Sequence, residues 1–372
     1  MTNKPKNERV NVVDALRGFA VMAIMLLHFI EHFIYGVYPE NSPEALATLN
    51  QNLFDSLFFV FAGKSYTIFA LLFGFTFMIQ QRNQELRGSD FGLRFAWRLL
   101  LLMLFATLNS LFFPGGDVLL LFAIMGFVMI PLRKLSERKL LIIASIFLIQ
   151  PIELLECIGI NLIPTVLNDS YYPLLTETVT NGTLWDMIAT NATTGQIASL
   201  LWAVDAGRLL QAPGLFIIGM VLSQGGYFLR GVEYWGKILT VGIIASFILF
   251  IAKSSTVDSA NIILTMWYNL AFTAIIVSIF VILYQTEFFK KITCNLNFYG
   301  RMSLTNYISQ SFIGSLIFFP YALGLADTLG VTLSFIVGIA LFALQLQFCK
   351  WWLKGHKQGP LEHIWHKLTW LK

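Results

Sequence analysis

Asp14-Ala15-Leu16-Arg17-Gly18-Phe19-Ala20 opens a run that stays apolar until His28. A stretch of that length and hydropathy reads as a membrane-spanning helix, and it carries an arginine and a histidine with ten residues between them. Eleven steps of ~100° return His28 to within about 20° of Arg17, three turns and roughly 16 Å further along. One helix therefore aims a permanent cation and a titratable base in one direction, one deep and one shallow. Charged groups in hydrocarbon are expensive and usually functional, so this pair organises the reading of the rest.

Outward from it, composition sets the class. Hydrophobic residues make up 56% of the 372, charged residues 12%, and the mean hydropathy is +0.69, a balance that excludes an ordinary soluble domain. The fold class is all-α, a polytopic membrane protein. Hydropathy and charge together predict about ten spans, roughly 12–35, 54–80, 95–113, 117–132, 139–162, 203–224, 237–252, 262–285, 303–321 and 328–349. Lysine and arginine alternate across the connections. Lys4, Lys6 and Arg9, then Arg82, Arg87 and Arg94, then Arg133, Lys134, Arg138 and Lys139 fall on one side, with Arg230, Lys237, Lys290, Lys291, Arg301 and the C-terminal lysines. Segments 36–52 and 163–202 carry neither residue type, and 253–261 carries only Lys253. Positive-inside asymmetry then places both termini in the cytoplasm and the protein in the plasma (inner) membrane.

The first apolar run is too long for a signal-peptide core and lacks a small-residue cleavage site, so it reads as a retained span. Residues 1–352 form a single transmembrane helical domain and 353–372 a cytoplasmic tail. In that tail Pro360 suits a helix start, and Leu361, Ile364, Trp365 and Leu368 share one face, which predicts an interfacial amphipathic helix. In the 163–202 loop, Asn168-Asp169-Ser170, Asn181-Gly182-Thr183 and Asn191-Ala192-Thr193 have the form of glycosylation acceptors, which chance produces readily in a polar loop. Cys157, Cys294 and Cys349 are scattered and odd in number, so they imply no disulfide framework and no metal motif.

The remaining intramembrane polar residues gather at one depth. His28, Glu31 and His32 share a face at i, i+3 and i+4. Lys64 sits mid-span, Glu153 and Glu156 toward one end of the fifth span, and Asp205 with Arg208 toward the same end of the sixth. Each has a plain structural alternative. Asp205 and Arg208 can neutralise each other, Glu153 and Glu156 can face interfacial water, Arg17 can snorkel, and His28 can be packing glue between helices. Asp14, Arg17 and His28 on one face, with apolar residues between, argue for a cavity.

Arg17, ten residues and His28, within Leu16-Arg17-Gly18-Phe19-Ala20, resemble the signature of the membrane acyltransferase family 3. The rest of the chain resembles the YeiB-type family, relatives of the heparan-α-glucosaminide N-acetyltransferase group. The segments that carry this are Ile68-Phe69-Ala70-Leu71-Leu72-Phe73-Gly74, Gly116-Asp117-Val118-Leu119, Gly300 to Ser311 and Gly359-Pro360-Leu361-Glu362. YeiB-type proteins often have asparagine near position 28, so His28 moves this chain toward the acyltransferase pattern.

The resemblance implies transfer of an acyl group, acetyl in the first instance, from cytoplasmic acyl-CoA to an acceptor hydroxyl or amine at the outer face. No metal is expected. Arg17 suits a coenzyme phosphate, with Arg301, Asn306 and Gln310 as further donors along one helix, or equally as helix-packing residues. His28 suits the base or acyl carrier, and Glu31 the residue that orients it. Asp14, His32, Lys64, Asp205 and Arg208 would line the substrate cavity. The expected partners are the lipid bilayer, acyl-CoA, an extracytoplasmic glycan, lipid or amine acceptor, and a second copy in a homodimer, with no nucleic acid. The competing class is an ion- or proton-coupled small-molecule transporter, for which Pro213-Gly214 is a candidate helix break and an internal repeat is missing.

Overall fold

The structure, a computed structural model, describes residues 10–34, 43–113, 117–160, 171–255 and 258–370. Lys4, Lys6, Arg9, Gly116 and Asn168-Asp169-Ser170 lie outside the described residues. Every regular element among the described residues is helical, as a chain whose backbone must satisfy itself in lipid requires. In order they are α1 (Asn11–Ile30), α2 (Ala47–Phe61), α3 (Lys64–Glu85), α4 (Gly92–Ser110), α5 (Val118–Met125), α6 (Met129–Leu132), α7 (Glu137–Leu148), α8 (Pro151–Cys157) and α9 (Tyr172–Asn181). There follow α10 (Leu184–Thr190), α11 (Gln196–Asp205), α12 (Arg208–Gln224), α13 (Val232–Ser254), α14 (Asp258–Leu283), α15 (Glu287–Arg301), α16 (Ser303–Phe318), α17 (Val331–Gly355) and α18 (Pro360–Thr369).

Seven helices among the described residues are long and apolar enough to cross a membrane, or eight if α10–α12 count as one bent span. The other expected spans fall on shorter helices, the α5–α6 pair and α16. α1 is the axis of the bundle. Its most apolar stretch is 83% buried, against 17% for α13, so α1 is enclosed and α13 faces outward. It packs against α3, α15, α16 and α17. Lipid is as apolar as the side chains, so close backbone approach and polar contacts hold such helices together. At the α1–α15 crossing, a Cβ at Gly18 would collide with the Leu296 carbonyl, and one at Gly300 with the Asp14 carbonyl.

Three regions differ from the sequence reading. Residues 43–52, expected in a connection, begin a helix. Glu44–Glu85 runs for 42 residues, about 63 Å and twice a hydrocarbon core, with its break at Ala62-Gly63. Gly63 supplies φ +74 there, and Asn50 fastens the upper part by accepting from Thr332 N at 2.9 Å. The described part of the 163–202 loop is also helical, its α10 started by a capping box between Thr183 and Asp186. Asn191 there is fully buried and donates to Leu111 O at 3.2 Å, which bars it from glycosylation. The helix break falls at Ala206-Gly207, where the two halves meet at 75°, while α12 runs through Pro213 unbroken.

α18 is a docked element. Trp97 Nε1 donates to Leu368 O at 3.1 Å and Trp365 Nε1 to Arg98 O at 3.0 Å. Arg98 lies 3.9 Å above the Trp365 ring and Arg94 4.0 Å above Trp370. Glu362 accepts from Leu304 N at 2.7 Å, Thr305 N at 3.1 Å and Thr305 Oγ1 at 2.6 Å. A carboxylate from the chain's end thus satisfies the orphan amides and faces the positive end of α16. Burial pushes the Glu362 carboxyl up from its ordinary value, against these hydrogen bonds.

Candidate functional site

Two cavities lie back to back along α1. The first, about 720 Å³, surrounds the C-terminal half of α1, the start of α3 and the α11–α12 bend. His28, Glu31, His32, Lys64, Tyr66 and Arg208 line it. The His28 ring packs 4.5 Å from Phe113, 5.0 Å from His32 and 5.9 Å from Tyr307, and its Nδ1 lies 3.3 Å from the Gln310 amide nitrogen. Glu31 stands 3.5 Å from Nδ1 of His32, so among the histidines it addresses His32. Gly63 ends the α2 direction and places Lys64 as the first residue of α3, 4% exposed. Its ammonium sits 5.3–5.6 Å from the ring centres of Phe59, Tyr268 and Phe272. The bend at Gly207 puts Arg208 into the same space, stacked 4.0 Å from Trp202 and 4.3 Å from Tyr66.

The second cavity, about 540 Å³, opens around the N-terminal half of α1, the end of α3, the start of α4 and α18. Arg17, Arg87, Arg98, Arg301 and Lys357 line it, with Glu362, Trp365 and His366. Arg17 Nη1 donates to Asp14 at 3.2 Å and Nη2 to Thr76 Oγ1 at 2.6 Å, which fixes the guanidinium between α1 and α3. Arg301 Nη2 donates to Lys357 O at 3.0 Å. Arg98 Nε is buried with no acceptor among the described residues.

One layer of side chains separates the two. Val118 faces the His28 cavity and its neighbour Leu119 the Arg17 cavity; Ile24 and Tyr66 border the former, and Phe122 and Tyr307 the latter. At its centre the buried Asp117 accepts from Tyr307 OH at 3.0 Å, Asn109 Nδ2 at 3.1 Å and Leu119 N at 2.9 Å. Asp117 thereby caps α5 and tethers the Tyr307 ring, which packs beside His28 and also lines the Arg17 cavity.

The structure brings His28, Glu31, His32, Lys64 and Arg208 together, and separately Arg17 and Arg301. Asp14 serves as the ion-pair partner of Arg17, and Asp205 lines neither cavity. Asn306 is also away from both. It donates to Tyr299 O at 3.0 Å and lies 3.3 Å from Cys349 Sγ, while its own carbonyl accepts from Gln345 at 3.2 Å. Gln310 belongs to His28 rather than to the Arg17 cavity. Asp117, Tyr307, Arg87, Arg98 and Glu362 were not singled out as site residues. For Asp117, Tyr307 and Glu362 a signal existed, since all three lie in segments that carry the family resemblance. Among the described residues no cluster of three or more His, Cys, Asp or Glu is arranged to hold a metal ion.

Comparison with known proteins agrees with the resemblance. Residues 9–175 match the family described as "Heparan-alpha-glucosaminide N-acetyltransferase, catalytic", and residues 215–372 match "Protein of unknown function (DUF418)". The chain is 26% identical to the uncharacterized protein YxaH of Bacillus subtilis (strain 168), over 98% of this chain and 95% of the relative. It is 25% identical to the uncharacterized protein YeiB of Escherichia coli (strain K12), over 97% and 96%. An uncharacterized 39.9 kDa protein in the amylase 3' region of Bacillus acidopullulyticus is 25% identical over 98% and 94%. No solved structure matches. Arg17, His28, Lys64 and Asp117 fall within the first match and Tyr307 and Glu362 within the second, so the septum joins the two regions.

Proposed function

We propose that the protein is a ten-span acyltransferase of the plasma membrane, with both termini cytoplasmic and α18 at the cytoplasmic leaflet. It moves an acyl group from acyl-CoA to an acceptor hydroxyl or amine at the opposite face. One observation carries this reading: a single helix, α1, presents Arg17 to one cavity and His28 to another, and only one layer of side chains lies between them. The match of residues 9–175 to a family named for N-acetyltransferase catalysis supports it. The Arg17 cavity lies at the end where the positive connections cluster, as a cytoplasmic face requires. Its arginine forks suit coenzyme phosphates, and the buried, unmatched Nε of Arg98 is a donor ready for one of them.

The roughly 16 Å between Arg17 and His28 is the distance the coenzyme's arm must cover. Its thioester reaches the His28 cavity by displacing the Tyr307 leaf of the septum. With Nδ1–H donated to the Gln310 side-chain oxygen, whose position relative to its nitrogen is interchangeable, His28 Nε2 takes the proton of the acceptor hydroxyl or amine. The acceptor oxygen or nitrogen bonds to the thioester carbonyl carbon, the C–S bond breaks, and the coenzyme thiolate leaves and recovers the proton.

The test is free-thiol release from acetyl-coenzyme A by the purified protein, together with the thermal shift that acetyl-coenzyme A induces. His28→Ala lowers thiol release at least ~10²-fold and keeps the donor shift. Full retained activity removes the histidine from the chemistry, and a wild type with neither shift nor release removes the acyl-transfer reading.

The transporter reading draws on the 75° break that sets Arg208 at the cavity, a feature of carriers with discontinuous helices. It predicts flux of a small solute in proteoliposomes without thiol release from acyl-coenzyme A.

A further inference from the structure

The His28 cavity holds two cations whose N–H donors meet no oxygen among the described residues. Among the described residues, the Lys64 ammonium meets three aromatic rings and no oxygen, and the Arg208 guanidinium meets two aromatic faces and no hydrogen-bond acceptor. Ring faces attract a cation, yet they accept none of its three or five N–H donors in the way an oxygen does. Two carboxylates face the same space, and among the described residues neither hydrogen-bonds to Lys64 or Arg208. Glu31 stands beside His32 and its charge also reaches Arg208, and Asp55 accepts from Gln51 Nε2 at 3.0 Å. Buried charge at membrane depth demands a partner, and here 720 Å³ of open space adjoins it. An oxyanion with several oxygens fits a guanidinium fork and an ammonium at once.

The border of the cavity says where that anion comes from. Phe59 of α2 and Phe250 of α13 both line it, and they are 50% and 53% exposed. α13 is the most outward-facing of the long helices. The mouth between α2 and α13 is therefore edged by apolar rings where the bundle meets lipid, while its interior is cationic.

From this we infer that the acceptor is phosphate-bearing, its phosphate held by Lys64 and Arg208 and its tail, where it has one, leaving between Phe59 and Phe250. This names the substrate class for the acyl-transfer reading and rests on it for the word acceptor; the phosphate site stands on the geometry. Lys64 and Arg208 set which molecule presents its hydroxyl or amine to His28.

The experiment is binding without any acyl donor. Thermal unfolding of the purified full chain is compared in nanodiscs of digalactosyldiacylglycerol, which carries no phosphate, and of phosphatidylglycerol, and in neutral detergent with sn-glycerol 3-phosphate or glycerol. Phosphatidylglycerol raises the midpoint by several degrees over digalactosyldiacylglycerol; Lys64→Met loses most of that increment and Lys64→Arg keeps it. A glycerol 3-phosphate shift abolished by Lys64→Met identifies the soluble phosphate as sufficient, and a shift confined to phosphatidylglycerol identifies the lipid. Equal midpoints in both lipids with no glycerol 3-phosphate shift overturn the inference, as does an undiminished shift in Lys64→Met. If Lys64→Met does not fold, amine-reactive labelling of Lys64 in the wild type, read by mass spectrometry, takes its place. Protection by phosphatidylglycerol or glycerol 3-phosphate at least ~5-fold above digalactosyldiacylglycerol or glycerol supports the site, and equal labelling rejects it. Thiol release from acetyl-coenzyme A is scored separately, so the phosphate site and the acyl-transfer reading fail independently.

Discussion

The two cavities on either side of the Asp117–Tyr307 layer are similar in size and opposite in how they treat charge. Around Arg17 the cations of α1 and α15 are built into the protein. Arg17 is held by Asp14 and Thr76 and Arg301 by a carbonyl, while Arg98 stacks on Trp365 and its buried Nε has no acceptor among the described residues. Around His28, among the described residues, Lys64 and Arg208 rest on ring faces and hydrogen-bond to no oxygen. The difference is a matter of preorganisation. Charges matched by the protein fix geometry before a ligand arrives, whereas charges matched only by quadrupoles are finished by the ligand. The first arrangement suits a large donor that must be positioned along its length, the second a smaller molecule chosen by its charge.

That contrast breaks most directly at its two signature residues. His28→Ala is expected to reduce acyl transfer ~10²–10⁴-fold with donor binding intact. Arg17→Ala is expected to weaken the donor by about tenfold and leave the phosphate response of the other cavity unchanged, read as the acetyl-coenzyme A and phosphatidylglycerol thermal shifts. If each substitution disturbs both ligands equally, the two cavities are one site. A smaller effect probes the layer between them. Tyr307→Phe removes one of three donors to the buried Asp117 and is expected to destabilise by about 1–2 kcal/mol in denaturant unfolding. With the leaf untethered, acyl-coenzyme A hydrolysis in the absence of acceptor should rise.

Glu362 sharpens the Arg17 side. Because burial raises its carboxyl in the fold, the folded protein holds that proton more tightly than the unfolded chain. The contribution is full below the ordinary 4.5 and is lost as pH rises through the raised value. The wild-type unfolding midpoint should therefore carry a falling component over that window, and Glu362→Gln should flatten it. The smallest effect is expected at Asp90, whose carboxyl is held down to about 2 by Arg133 and the Gly92 amide at the rim of the bundle. Asp90→Asn should move the midpoint at neutral pH by no more than about 1 °C and alter neither ligand response.

Much of this plan was legible in the chain. The apolar run from Asp14 to His28 announced its helix, and the polar residues at i, i+3 and i+4 after it marked the level of a cavity. Asn306 and Gln310 were read correctly as sharing a helix but could not be assigned from spacing. Their partners are Tyr299, Cys349 and His28, and Cys349 and His28 lie 43 and 282 residues away. The helical content of 43–52 and 171–202 was hidden by polar residues such as Asn50, Gln51 and Asn191. These hydrogen-bond to distant backbone or to the next turn instead of signalling a loop.

By itself the sequence determined where helices run and which carry charge, because hydropathy and the 3.6-residue period are local properties. Tertiary structure alone decided that Arg17 and His28 serve different cavities. It also made Glu362 the cap of α16 and set Lys64 and Arg208 against aromatic rings. The physical reason is that a buried charge is defined by what surrounds it, and its surroundings come from helices far apart in the chain.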